Sequence, residues 1–138
     1  MKLILHHVEL KKGCCYLNIG KISDAEYEIM KIIWEEGREI TTADIIEKLA
    51  KDNSWKHTTI LTLARRLVDK NVLHVRKIGR VNYYSPRITK GEYKSYQAKG
   101  FLKDMYDGNV KSLVASLYDN KKIGEKDLKE LKDWIRGL

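Results

Sequence analysis

Apolar side chains recur at three- and four-residue intervals along most of this chain. The rhythm breaks between residues 72 and 85, where β-branched and aromatic residues crowd together. The first periodic stretch opens at Ser23-Asp24-Ala25-Glu26, a capping-box pattern in which hydroxyl and carboxylate each satisfy the other residue's amide. Ile29, Ile32 and Ile33, flanked by Tyr27, Met30 and Trp34, then predict a helix over about 24–36 that stops at Gly37. Arg38-Glu39-Ile40 reads as a short extended link. Thr41-Thr42 is placed to cap a second helix with Ile45, Ile46 and Leu49 inward, ending before Asp52-Asn53-Ser54. A third helix, about 56–70, follows Trp55 and carries the stripe Ile60, Leu63, Ala64 and Leu67. Three helices with a short turn between the second and third predict a helix-turn-helix core.

Where the rhythm changes, Val72-Leu73-His74-Val75-Arg76-Lys77-Ile78 and Val81-Asn82-Tyr83-Tyr84-Ser85 flank Gly79-Arg80, a pattern for two strands and a tight hairpin. His74 reads as structural, and Pro86, the sole proline, closes the domain. A helix-turn-helix followed directly by a hairpin is a winged helix. Helical spacing resumes after Thr89, over about 90–107 (Tyr93, Tyr96, Ala98, Phe101, Leu102, Met105), 109–119 (Val110, Leu113, Val114, Leu117, Tyr118) and 125–136 (Leu128, Leu131, Trp134, Ile135). So short a tail cannot bury three apolar faces, and an identical subunit is the simplest supplier of the missing surface. The predicted fold class is therefore mainly α with a small β-hairpin wing. Residues 1–20 form a loosely ordered leader, 21–88 a winged helix-turn-helix domain and 89–138 a three-helix dimerisation region.

Charge sharpens this picture. The chain has 138 residues and a net charge of +8, but the excess is local. Between Trp55 and Lys90 nine cations face one anion, Asp69, whereas 1–54 holds eight cations and ten anions and 91–138 holds ten and eight. A basic window in an otherwise balanced chain suits a polyanion, because contacts to phosphate release condensed counterions. With the stripe of the third helix inward, Thr58, Thr62, Arg65, Arg66 and Asp69 fall on the opposite side, with Thr59 at the margin. Threonines allow close approach to base edges and arginines reach guanines or phosphates. Thr59 suits a phosphate at the helix start. His57 either donates to a phosphate or fills the cap region. Lys77 and Arg80 at the wing tip suit the DNA backbone, and Arg76 and Arg87 are weaker candidates. Candidate DNA contacts are thus Thr42, Lys56, Thr58, Thr59, Thr62, Arg65, Arg66, Lys77 and Arg80. Candidate dimer contacts are Tyr96, Phe101, Leu102, Met105, Val110, Leu113, Val114, Leu117, Leu128, Leu131, Trp134 and Ile135.

Other chemistries find less support. Catalysis lacks a Ser/His/Asp set, an apolar pocket with paired acids or a phosphate-cradling glycine loop, so no enzyme is expected. Neither a cofactor nor a metal is expected. His6, His7, Cys14 and Cys15 sustain an alternative, a metal- or ligand-sensing winged-helix regulator, although adjacent cysteines match no zinc spacing. A winged helix that binds protein instead of DNA is a further alternative. No apolar run approaches the ~18 residues of a membrane span, and the start is too short for a signal-peptide core, which points to the cytoplasm.

Ile22-Ser23-Asp24-Ala25-Glu26-Tyr27-Glu28-Ile29-Met30, Ile32-Ile33-Trp34 and Trp55-Lys56-His57-Thr58-Thr59-Ile60-Leu61-Thr62-Leu63 with Arg66-Leu67 together resemble the penicillinase-repressor (BlaI/MecI-like) family. The likeness runs over about 20–138, and Phe101-Leu102, Tyr106 and Lys111-Ser112-Leu113-Val114 resemble its dimerisation helices. The resemblance implies a homodimeric repressor on a palindromic operator, controlling β-lactam resistance or another stress response. It implies that Thr59, Thr62 and Arg66 are recognition contacts, whereas Thr58 and Leu61 replace basic residues of some relatives, so operator preference differs. It also implies relief of repression by proteolysis, triggered by a membrane sensor-transducer protease, at the bond before the residue matching Phe101. Gly100 stands here where such relatives have Asn, making Gly100-Phe101 a candidate cleavage point. No cysteine follows Cys15, against a copper-responsive branch.

Overall fold

A computed structural model describes residues 19–49 and 55–138. Along them run α1 (Asp24–Glu36), β1 (Ile40–Thr41), α2 (Thr42–Leu49), α3 (His57–Asp69), β2 (Leu73–Ile78), β3 (Val81–Pro86), α4 (Lys90–Tyr106), α5 (Val110–Asp119) and α6 (Glu125–Arg136). The fold is mainly helical with a small antiparallel sheet. It divides into two compact units, Met1–Tyr93 and Lys94–Leu138, with α4 beginning in the first and continuing into the second.

Local sequence sets the helix ends. Ser23 Oγ accepts from the Glu26 amide and Glu26 Oε2 from the Ser23 amide, both at 3.2 Å, and Gly37 closes α1 at φ 62°. At α2 the cap is Thr41, whose hydroxyl accepts from the Asp44 amide at 3.2 Å, while Thr42 is the first helical residue. Asn71, at φ 63°, ends α3 in a left-handed turn: its amide donates to the Val68 carbonyl and the Val72 amide to that of Leu67. This paired closure satisfies orphan carbonyls and sends Val72 and Leu73, both fully buried, into the core.

Packing follows the predicted stripes. Ile29, Met30 and Ile33 of α1, Ile45 of α2, and Ile60, Leu63, Ala64 and Leu67 of α3 are buried together with Ile40, Tyr84, Ile88 and Tyr93. Glu26 is also buried. It accepts an amide bond from Ser23 and receives the Lys70 ammonium at 2.7 Å, so its charge is paired and hydrogen-bonded. Beside it Trp34 donates its indole N–H to the Ile88 carbonyl at 2.9 Å and lies 5.6 Å from the Tyr93 ring.

The sheet is larger than the hairpin the sequence suggests. Strands β2 and β3 pair as expected, with Ile78 opposite Val81 and Gly79 at φ 61° in the turn, as a primed turn requires. The link around Ile40 becomes β1, pairing Ile40 with Tyr84 and Thr41 with Tyr83, so the strand order is β1-β3-β2. Two residues carry no alternation to detect. They become a strand because β3 offers them a free edge. Alternation puts Ile40, Tyr84 and Val75 on the core side and Thr41, Tyr83 and Arg76 on the outer side.

The second unit has no buried residue. Leu102, Leu113, Val114, Leu117, Leu128 and Leu131 are half-buried. Tyr96, Phe101, Met105, Val110, Tyr118, Trp134 and Ile135 are exposed, Met105 to 66% and Trp134 to 63%. Between α5 and α6 lies a groove of about 500 Å³, lined by Val110, Val114, Tyr118, Leu128, Leu131, Trp134 and Ile135. Nothing among the described residues fills it.

Candidate nucleic-acid interface

The exposed face of α3 is built by its buried one. With Ile60, Leu63, Ala64 and Leu67 anchored in the core, Thr58, Thr59, Thr62, Arg65 and Arg66 all reach solvent. The Thr62 hydroxyl donates to the Thr58 carbonyl at 2.9 Å, which commits its hydrogen and leaves its lone pairs and methyl for a partner. At the N-cap position sits Lys56, extended and without a side-chain cap bond, whereas Ser23, Thr41, Thr89 and Asn109 cap α1, α2, α4 and α5. The start of α3 thus has a cation where α1, α2, α4 and α5 have an acceptor, and the first-turn amides keep their affinity for anions.

Ion pairing separates the cations into two groups. Among the described residues Lys31, Arg38, Lys48, Lys70 and Arg76 hold carboxylates, while Lys56, Arg65, Arg66, Lys77 and Arg80 are in no ion pair. Lys77 and Arg80 are exposed at the hairpin tip. Thr42 is half-buried at the start of α2, within two residues of the Thr41 cap.

One sequence reading changes, that of His74, and the two weaker DNA-contact candidates are engaged within the protein. His74, read as structural, is exposed on the sheet's outer side. Arg87 donates to Asn71 Oδ1 at 3.3 Å. Arg76 forms a two-pronged pair with Glu39, its Nε 3.2 Å from Oε2, and its guanidinium lies 5.4 Å from the Tyr83 ring centre. Those hydrogen bonds hold the Glu39 carboxyl below its ordinary range and push the guanidinium up. The sequence places Glu39 in an extended link and carries no signal of this partner, which lies 37 residues away. Similarly, a hydrogen bond from Lys48 lowers Glu36, and the Thr41 amide lowers Asp44.

In the second unit Val110, Val114, Leu128, Leu131, Trp134 and Ile135 line the α5–α6 groove, Tyr96, Phe101 and Met105 lie exposed along α4, and Leu102, Leu113 and Leu117 are half-buried. Gly100 sits in mid-α4 with open space around its Cα, and the Phe101 side chain is 52% exposed. The tail also holds tyrosine hydrogen bonds, Tyr106 with Ser116 at 2.9 Å and Tyr118 to Glu125 at 2.6 Å. His6, His7, Cys14 and Cys15 lie outside the described residues, among which no cluster of metal-binding side chains occurs. No helix among them is long and apolar enough to cross a membrane.

The first unit is a winged helix with a bare basic face on its third helix. Comparison with known proteins narrows the class: the penicillinase repressor family profile matches residues 22–137, and the chain belongs to that family. It is 36% identical to the penicillinase repressor of Bacillus licheniformis, over 82% of this chain and 88% of that one. With the penicillinase repressor of Staphylococcus aureus it shares 33% identity over 86% and 93% respectively. A solution structure of the DNA-binding domain of the repressor BlaI is 43% identical, covering 54% of this chain and 90% of that one, with a TM-score of 0.49.

Proposed function

We propose that this protein is a DNA-binding transcriptional repressor that acts as a homodimer on a palindromic operator. The carrying observation is the outer face of α3, where Thr58, Thr59, Thr62, Arg65 and Arg66 stand exposed and neither arginine pairs with a carboxylate among the described residues. Lys56, Lys77 and Arg80 extend that unpaired charge to the helix start and the wing tip. Thr62 and Arg66 read base edges, Thr59 and Lys56 take phosphates near the α3 N-terminus, and the wing cations add affinity with little sequence choice. Thr42, at the start of α2, adds a backbone contact.

Dimerisation gives two recognition helices one operator half-site each. It is supported by a second unit with no buried residue and an open apolar groove. The names of the relatives, penicillinase repressors, favour control of β-lactam resistance over that of another stress operon. Relief follows proteolysis at Gly100-Phe101 by a membrane sensor-transducer protease. A mid-helix glycine costs about 1 kcal/mol relative to alanine and eases the local unfolding a protease needs.

The test is a salt series of binding to the gene's upstream DNA and to a scrambled duplex, for wild type, Arg66→Ala and Thr62→Ala. Loss of about 1–3 kcal/mol of selectivity in each variant is expected. Weak, unselective binding that neither substitution changes overturns the reading.

A further inference from the structure

The Glu39–Arg76 pair runs across the whole outer side of the sheet. Arg76 of β2 stands opposite Tyr83 of β3, which stands opposite Thr41 of β1, and Glu39 lies two residues before Thr41 on the same side. The guanidinium therefore lies over the middle strand's ring and grips a carboxylate beyond it with two hydrogen bonds. Among the described residues Arg76 is the wing cation with a carboxylate partner, and Lys77 and Arg80 have none. Its side chain is still 52% exposed, so burial does not keep it from a polyanion.

We propose that Glu39 is a positioning residue that acts through Arg76 to limit the protein's sequence-independent affinity for DNA. It holds the guanidinium over Tyr83, 5.4 Å from the ring centre, and withdraws it from the cations that neutralise phosphate. One fewer sequence-independent contact lowers affinity for all DNA by the same factor and weakens its salt dependence, while discrimination between sequences stays with the base-reading face of α3. An exposed pair of this kind is weak when it relies on charge alone. Here two parallel hydrogen bonds and the aromatic face beneath fix the guanidinium plane, which strengthens it.

This inference rests on the DNA-binding reading, and the experiment separates the two. The full-length protein is measured on operator and scrambled duplexes across a potassium chloride series as wild type, Arg76→Gln, Glu39→Gln, the double variant, and Glu35→Gln as a control with the same charge change on exposed α1. Arg76→Gln is expected to keep the wild-type salt slope. Glu39→Gln is expected to steepen the slope of log K against log salt by about 0.9 on both duplexes, raising affinity for both alike and leaving the operator-to-scrambled ratio unchanged. The double variant returns to the wild-type slope, and Glu35→Gln stays there. If Arg76→Gln flattens the slope by about 0.9, the arginine already contacts phosphate and the proposal is wrong. It is equally wrong if Glu39→Gln behaves like Glu35→Gln. Failure of the wild type to bind any duplex removes the DNA-binding reading and this inference with it.

Discussion

Replacing Trp34 with phenylalanine tests how the winged helix is held to the start of α4. The indole N–H donates to the Ile88 carbonyl at 2.9 Å, and Ile88 itself is 1% exposed. A carbonyl left without its donor in a part-buried position costs about 1 kcal/mol, the low end of the range for unsatisfied groups. The indole also sits 5.6 Å from Tyr93 and edge-on to Tyr27 at 6.1 Å. Shrinking it weakens two ring contacts, each worth about 0.5–1.5 kcal/mol when intact, so the two losses together come to roughly 2 kcal/mol. For a domain this small, that lowers the thermal midpoint by about 8–16 °C. The assay is thermal unfolding of the full chain, followed by near-ultraviolet circular dichroism of the aromatic cluster. A decrease under about 2 °C refutes the reasoning, since it means that neither the indole bond nor the ring contacts hold this junction.

Two further outcomes follow from the same structure. Trp134→Ala removes a ring that is 63% exposed in the protomer, so it is expected to leave helicity intact while weakening self-association about tenfold or more by sedimentation. Unchanged self-association excludes the α5–α6 face as the dimer surface. Glu36, Glu39 and Asp44 all have lowered pKa values in the folded chain, so their pairs contribute stability above the ordinary carboxylate range and lose it as pH falls through the lowered values. A thermal midpoint steady above about pH 5 and falling below it is expected, and a flat profile down to about pH 3 contradicts it.

What could be read from the sequence was local. Ser23 with Glu26 marks the start of α1, the stripe from Ile60 to Leu67 fixes which side of α3 is free, and Gly79 places the wing turn. Each signal lies within a few residues of the structure it specifies. Features made by distant pairing escaped. Strand β1 is two residues long and exists because Tyr83 and Tyr84 offer an edge. Thr41 and Thr42 are equally plausible caps by composition, and Thr41 is chosen by its reciprocal bonds with Asp44. Glu39 and Arg76 meet across 37 residues, and Glu26 and Lys70 across 44, so composition counts four charges where the fold has two neutral pairs. The basic window was therefore correct in place and too generous in number, since Lys70 and Arg76 are committed within the protein. His74 shows the converse error: a strand residue beside buried Leu73 is exposed, because alternation turns it outward.

Hydroxyl-radical footprinting of the full-length protein on its upstream DNA, with Arg66→Ala alongside, tests the central claim most directly. The expected result is two protected patches related by a dyad, their centres separated by about one helical turn of 10 base pairs or a multiple of it, and lost in the variant. Absent or uniform protection, or a footprint that Arg66→Ala leaves intact, contradicts a dimer that reads its operator through α3.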